Sequence, residues 1–339
     1  MSLWTVDRQL ETFRLTPKHK GSYCYDMNRL TTEKRAQILG LMVEGMAIRA
    51  ISRMTGASKN TINKLLIDAG QACSEYQDRT MRELPCKKLQ LDEIWSFVGY
   101  KEKNVPAEKK GLGVGDVWTW TAIDSDTKLV PSWFVGNRDA DHANAFVMDL
   151  KGRLGNRVQI TSDGHRPYLQ AVENAFGDDV DYAMLVKIYG QPRAEAEAHR
   201  RYSPSPCIGA KRQRIIGNPD MDHVSTSHAE RMNLNIRMGL RRFTRLTNAF
   251  SKKMENHALA LAIYFMHYNF VRIHQTLKVT PAMAAGVSDK LWELVDVVKM
   301  VDAWEQGMLE APKREFGGDV SYTAQVNLQH HNQRGRTRK

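Results

Sequence analysis

The chain has 339 residues, with 49 Lys and Arg against 38 Asp and Glu, a formal net charge of +11; it is 42% hydrophobic and 26% charged. That composition suits folded domains, two or three of them at this length, and excludes wholesale disorder, a collagen-like repeat and a disulfide-built scaffold. No apolar run reaches the length of a membrane span, MSLWTVDRQLETFRLTPKHK holds no apolar signal core, and Cys24, Cys73, Cys86 and Cys207 form no C-x-x-C pair. The expectation is therefore a protein of a reducing cytosol, without membrane or zinc ribbon.

Residues 1–30 show little periodicity and read as an N-terminal arm. From Thr31 to about Gly70 apolar residues recur at helical spacing: Leu39, Met42 and Met46, then Ile48, Ile51 and Met54. A break at Thr55-Gly56-Ala57 precedes Ile62, Leu65 and Leu66. Helix, glycine turn, helix is a helix-turn-helix layout, assigned to residues 31–80. Ser58 is placed to cap the second helix, whose N-terminal end presents Lys59, Asn60, Thr61, Asn63 and Lys64. A small helical bundle would show the same periodicity. The polar and cationic character of that end favours insertion into the DNA major groove.

The texture changes at Lys88. LQLDEIWSFVGY, DVWTWTAIDSDTKLV and PSWFVG read as three strands of an antiparallel meander. A helix follows from about Asp141 to Leu154, then a strand in NRVQITSDG, a helix in RPYLQAVENAFG and a fifth strand in YAMLVKIYG. This predicts an α/β fold, a mixed five-stranded sheet with flanking helices over residues 88–275, preceded by the all-α helix-turn-helix domain. No G-x-G-x-x-G or P-loop indicates a nucleotide site. Residues 191–223 are polar, basic and rich in proline, and read as an insertion or loop. Ser251 to Phe270 is a strong helix; residues 276–339 read as a C-terminal helical region ending in the basic tail HNQRGRTRK. Between Lys187 and Lys253 there are 14 basic and 5 acidic residues, whereas Ser288 to Asp319 is acidic. A local basic field is what phosphate binding requires.

Three acids stand out. Asp92 lies between Leu91 and Ile94 in the first strand, where an unpaired charge is costly, although alternation lets either Asp92 or Glu93 face solvent. Asp163 ends the fourth strand in T-S-D-G-H, which is equally a good turn. Glu230 lies in STSHAERMNLNIR, where Ser227 to Glu230 also matches a capping box. In a mixed sheet of this order the first and fourth strands are neighbours, so Asp92 and Asp163 meet and a Glu on a following helix closes a triangle. Three such carboxylates suit two hard divalent cations. Met232, Leu234, Ile236, Met238 and Leu240 alternate like a strand, whereas Glu230, Asn233, Arg237 and Arg241 share a helical face; periodicity leaves both open.

LDEIWSFVG, TSDGHRPY and HAERMNLNIRMGLRRFTRLTNAFSK together resemble the catalytic segments of DDE transposases from bacterial insertion sequences, nearest the insertion-sequence-one type. VRIHQTLKVTPAMAAG resembles the ending of many such enzymes. The resemblance covers about Leu91 to Phe270 and implies an RNase H-like catalytic domain with Asp92, Asp163 and Glu230 as catalytic and metal-binding triad, Glu230 being helical. It implies two Mg2+ ions, with Mn2+ as substitute, and a two-step reaction in which water frees a 3′-hydroxyl that then attacks target DNA. It implies double-stranded DNA as partner (element inverted repeats and target) and at least a homodimer on DNA. Asn233 and Arg237 would position DNA or Glu230, while Arg241, Arg242, Arg245, Lys252 and Lys253 would contact phosphates. His165 and His228 are expected beside the site in supporting roles, and Asp220 and Asp222 are rival acids. The sequence departs from the type in lacking an N-terminal cysteine zinc segment. Alternatives are an inactive helix-turn-helix regulator derived from a transposase, and a structure-specific RNase H-like nuclease.

Overall fold

The computed structural model of the chain describes residues 29–190, 207–244 and 247–309. The expectations for most of the arm, for residues 191–206, for Arg245 and for the tail lie outside the described residues. The chain divides after Thr31, and every element below belongs to the part from Thr32 onward.

Three helices come first: α1 (Thr32–Val43), α2 (Ile48–Thr55) and α3 (Lys59–Thr80). Gly56 ends α2 with φ 72°, a left-handed conformation that costs glycine no steric strain, and its N–H returns to the Ser52 carbonyl. Ser58 caps α3 by accepting the Thr61 N–H at 3.1 Å. Past its exposed first turn, α3 buries Leu65, Leu66, Ala69, Ala72 and Cys73.

The sheet has six strands: β1 (Lys88–Val98), β2 (Gly115–Asp124), β3 (Ser132–Gly136), β4 (Gln159–Asp163), β5 (Asp181–Tyr189) and β6 (Cys207–Ile216). Their order is β3-β2-β1-β4-β5-β6. β1 runs antiparallel to β2 and parallel to β4, β4 parallel to β5, and β5 antiparallel to β6. The expectation of five strands is corrected to six. The added strand falls inside residues 191–223, whose composition suggests an insertion or loop. CIGAKRQRII carries no apolar alternation because β6 is a sheet edge exposed along nearly its whole length.

Helices cover both faces. On one, α4 (Ala140–Lys151) and α5 (Pro167–Phe176) bring Phe146 and Tyr168 against Trp120 of β2, with ring centroids 6.1 and 5.5 Å apart. On the other lie α6 (Ser227–Gly239) and α7 (Met254–Met266). Phe265 of α7 stacks on Trp133 of β3 at 5.6 Å. From His257 to Met266 every residue of α7 is buried, because α3 packs along its other side. The crossing is close at Gly70, where a Cβ would sit 2.5 Å from the Leu259 Cβ. After a π-helical turn at His267–Val271 come α8 (Pro281–Ala284) and α9 (Leu294–Glu305), the latter packed on α1 and α3.

The segment with conflicting periodicities is a helix. Met232 and Ile236 of α6 are buried, whereas Leu234 and Met238 are 45% and 66% exposed. The alternating apolar residues thus form two stripes, of which the fold buries one.

Candidate metal and phosphodiester site

Parallel pairing sets the geometry of the acids. Leu91 of β1 pairs with Ser162 of β4, so Asp92 and Asp163 come level where β4 ends. The Asp92 Oδ1 folds back to accept the Glu93 N–H at 2.8 Å. Asp92, Glu93 and Asp163 each bring one carboxylate oxygen within 4.8 Å of the other two. Burial, then the Glu93 and Asp163 charges, push the Asp92 carboxyl up to about 7. Glu93 is raised for the same two reasons, burial first and Asp163 second. It is also the best anchored of the three, accepting Arg138 Nε at 2.6 Å and the Tyr168 hydroxyl at 3.1 Å. Strand alternation suggested that only one of Asp92 and Glu93 would belong here; both do.

The neighbouring helix is aimed by the same strand. Gln90, two residues before Asp92, accepts the His228 and Ala229 N–H groups at 2.8 and 3.2 Å with its Oε1. A strand side chain thereby satisfies the open N-terminus of α6, whose own N-cap residue, Thr226, makes no side-chain cap bond. One turn on, Asn233 donates its Nδ2 to Asp92 Oδ2 at 2.8 Å. The Asn233 Oδ1 is buried without a hydrogen-bond partner among the described residues.

Glu230 is helical and projects from the first turn of α6, but its carboxylate is not among the three clustered ones. Its Oε1 accepts Lys187 Nζ of β5 at 2.5 Å and the Thr226 hydroxyl at 2.6 Å. Burial works to raise its carboxyl, and these two partners prevail and hold it below the usual carboxylate range. Lys187 was not singled out in the sequence; being a cation on an edge-proximal strand, it carries no local signal of its own.

The remaining candidates are dispersed. Lys59, Asn60, Thr61 and Lys64 are exposed on the first turns of α3, and Asn63 is half-buried; Lys64 is paired with Asp68. Arg237 is half-buried on α6, and Arg241, Lys252 and Lys253 are exposed beyond it. Arg242 instead points inward and donates Nη1 to Ser251 Oγ at 2.9 Å, and burial pulls its guanidinium down to about 10. His165 packs against Trp120 and Tyr168, its backbone N–H donating to Asp163 Oδ1 at 2.9 Å. His228 lies 3.2 Å from Lys128 Nζ. Asp220 closes a local turn with His223 and the Asp222 N–H, and neither Asp220 nor Asp222 joins the acidic cluster.

Oxygen-only donors at this mutual distance match a hard divalent cation, and the buried, unpartnered Asn233 oxygen beside them fits the same chemistry. No helix among the described residues is long and apolar enough to cross a membrane. No protein-family model matches the chain, and no curated protein matches it. Among solved structures it is similar to a piggyBac transposase seen by cryo-electron microscopy in a synaptic complex with hairpin DNA, at 11% identity and a TM-score of 0.40, over 88% of this chain and 77% of that one.

Proposed function

We propose that this chain is a DDE transposase of a bacterial insertion sequence, with an RNase H-like catalytic domain that cuts DNA at the element's ends and joins them to a target. The reading is carried by the meeting of Asp92 and Asp163, 71 positions apart in sequence, at adjacent strands with their oxygens within 4.8 Å. Like charges crowded into a partly buried place are costly unless a cation offsets them. The motifs around Asp92, Asp163 and Glu230 support the family reading independently.

Asp92 and Asp163, with Glu230 as third acid and Glu93 beside them, are the residues that would hold magnesium, or manganese in its place. Such ions supply Lewis-acid activation of a water or 3′-hydroxyl and neutralise charge at the leaving oxygen. Asn233 fixes the Asp92 carboxylate, and Gln90 fixes the helix that carries Glu230 and Asn233. Glu230 joins the other acids once Lys187 gives up its carboxylate. The exposed end of α3 reads duplex sequence, while Arg241, Lys252 and Lys253 hold phosphates and set register. Joining two ends calls for at least two copies on the DNA, in the cytosol where that DNA lies.

The test uses duplex DNA from the ends of the encoding element with Mg2+ or Mn2+. Asp92→Asn, Asp163→Asn and Glu230→Gln each abolish cleavage and joining and leave DNA binding intact. Joining by all three variants overturns the site. Inactivity of the wild type would favour a DNA-binding regulator, and preferential cutting of RNA·DNA hybrids a nuclease.

A further inference from the structure

Residues paired across a sheet project to the same face. Asp163 pairs with Leu185, and Leu185 with Arg212, so Arg212 stands in one row with Asp163 on the face that carries Asp92. Two inter-strand spacings separate them, roughly 10 Å. Two residues along β6, Arg214 pairs with Ala183 and points to that same face. Lys187, paired with Ala210, also faces that way, as its contact with Glu230 of α6 shows. Lys211, paired with Val186, points to the opposite face.

The outer part of this ribbon is open on both sides. β6 is exposed at Lys211, Arg212 and Arg214, and Ile208 is 67% exposed. Arg212 spends one N–H on the Met221 carbonyl at 3.1 Å, and Arg214 makes no hydrogen bond or ion pair among the described residues. Charge on an edge strand guards against strand-to-strand association. That role asks only for charge on the edge, on either face, whereas here two arginines and a lysine line the one face that leads to a cluster of carboxylates. A polyanion approaching those carboxylates is repelled unless cations flank its path.

We infer that the β5–β6 ribbon is a phosphate track, along which Arg214, Arg212 and Lys187 hold the backbone of a DNA strand and deliver it to the acidic cluster. The inference rests on the reading of that cluster as a phosphodiester-cleaving site. Arginine suits the outer positions, since its fork of donors grips phosphate oxygens bidentately. At the inner end, a phosphate oxygen competes with Glu230 for Lys187.

The experiment measures binding of the full chain to a short fluorescent DNA duplex across a range of KCl, in chelator. An Arg212→Gln/Arg214→Gln double variant, both sites being exposed, is expected to bind several-fold more weakly. Its salt dependence should be shallower by about 2, the loss of two phosphate contacts. Lys211→Gln, on the other face of the same strand, is the control and should keep the wild-type slope. A double variant indistinguishable from wild type overturns the track. So does an equal loss per charge in Lys211→Gln, which would reduce the effect to net charge. A matching dependence with tighter binding of an RNA duplex overturns the assignment to DNA. Because binding is read without metal, the track can stand if the wild type proves unable to cleave, and fail while cleavage is retained.

Discussion

Asp92 carries the tension between folding and chemistry. Its carboxyl is half-buried beside two others, and its raised affinity for protons expresses the strain of ionising there. Removing that charge relieves the metal-free fold. Asp92→Asn, which keeps the shape and the contact to Asn233 within reach, is expected to unfold at a higher temperature than wild type in chelator at pH 8. Mg2+ should then raise the melting temperature of the wild type and leave the variant's unchanged. A variant less stable than wild type in chelator would show that the charge is not strained. Asp92 was legible in the sequence because an acid between Leu91 and Ile94 violates a core strand. Glu93 was not, since alternation leaves open which of the two acids faces solvent; its place depends on Arg138 and Tyr168, 45 and 75 positions away. Lys187 was hidden for the same reason, its partner lying 43 positions distant.

Among the elements, α7 has no solvent face over most of its length, and its neighbours are fitted to it. At Gly70 an added methyl would meet both Leu259 Cβ and the Leu259 carbonyl, at 2.5 and 2.9 Å. Gly70→Ala should therefore destabilise the protein by about 1–3 kcal/mol, despite the better helix propensity of alanine. Urea unfolding gives the value; a gain in stability would refute the close packing. His257, in the first turns of α7, lies between Ser96 of β1 and Ser251 at 3.1 and 3.0 Å. Burial, then the Arg242 charge, pull its imidazole down to about 3 from 6.5. The folded state thus holds fewer protons than the unfolded one below 6.5. The neutral form's contribution is complete above that pH and is lost as pH falls toward 3, by up to about 1.4 kcal/mol per pH unit. Stability of the wild type should fall more steeply from pH 6.5 to 4.5 than that of His257→Gln; parallel curves would contradict the assignment. The period-three-and-four stripe made α7 readable in advance. Edge strand β6 was unreadable, because a strand that buries neither face leaves no pattern.

Across the whole molecule, the helices that open the chain and the sheet are tied by a buried charge network. Arg153, just past α4, bonds Asp149 at 2.7 Å and Asp78 near the end of α3 at 3.0 Å, while Asp149 also accepts the Ser132 hydroxyl at the start of β3. Arg153→Met would leave Asp149 without its cation and Asp78 with Arg82 alone, and is expected to cost about 3 kcal/mol. The loss should come as one shifted transition by circular dichroism and tryptophan fluorescence alike; two separated transitions would show that helices and sheet unfold apart. Strand order near the site, with β1 beside β4, followed from the alternation of strand and helix patterns. The ties between α3 and α4 did not, because long-range ion pairs leave no trace in local periodicity.

Gln90 has a consequence for how errors in assembly are handled. The residue that caps the start of the helix bearing Glu230 and the residue that joins the acid pair sit two places apart on one strand and face the same way. A one-place slip of that strand during folding would turn both away together, leaving the helix undocked as well as the acids scattered. A register error in β1 therefore costs the docking of α6 and the acidic cluster at once, so the cluster forms only in copies whose neighbouring helix is also in place.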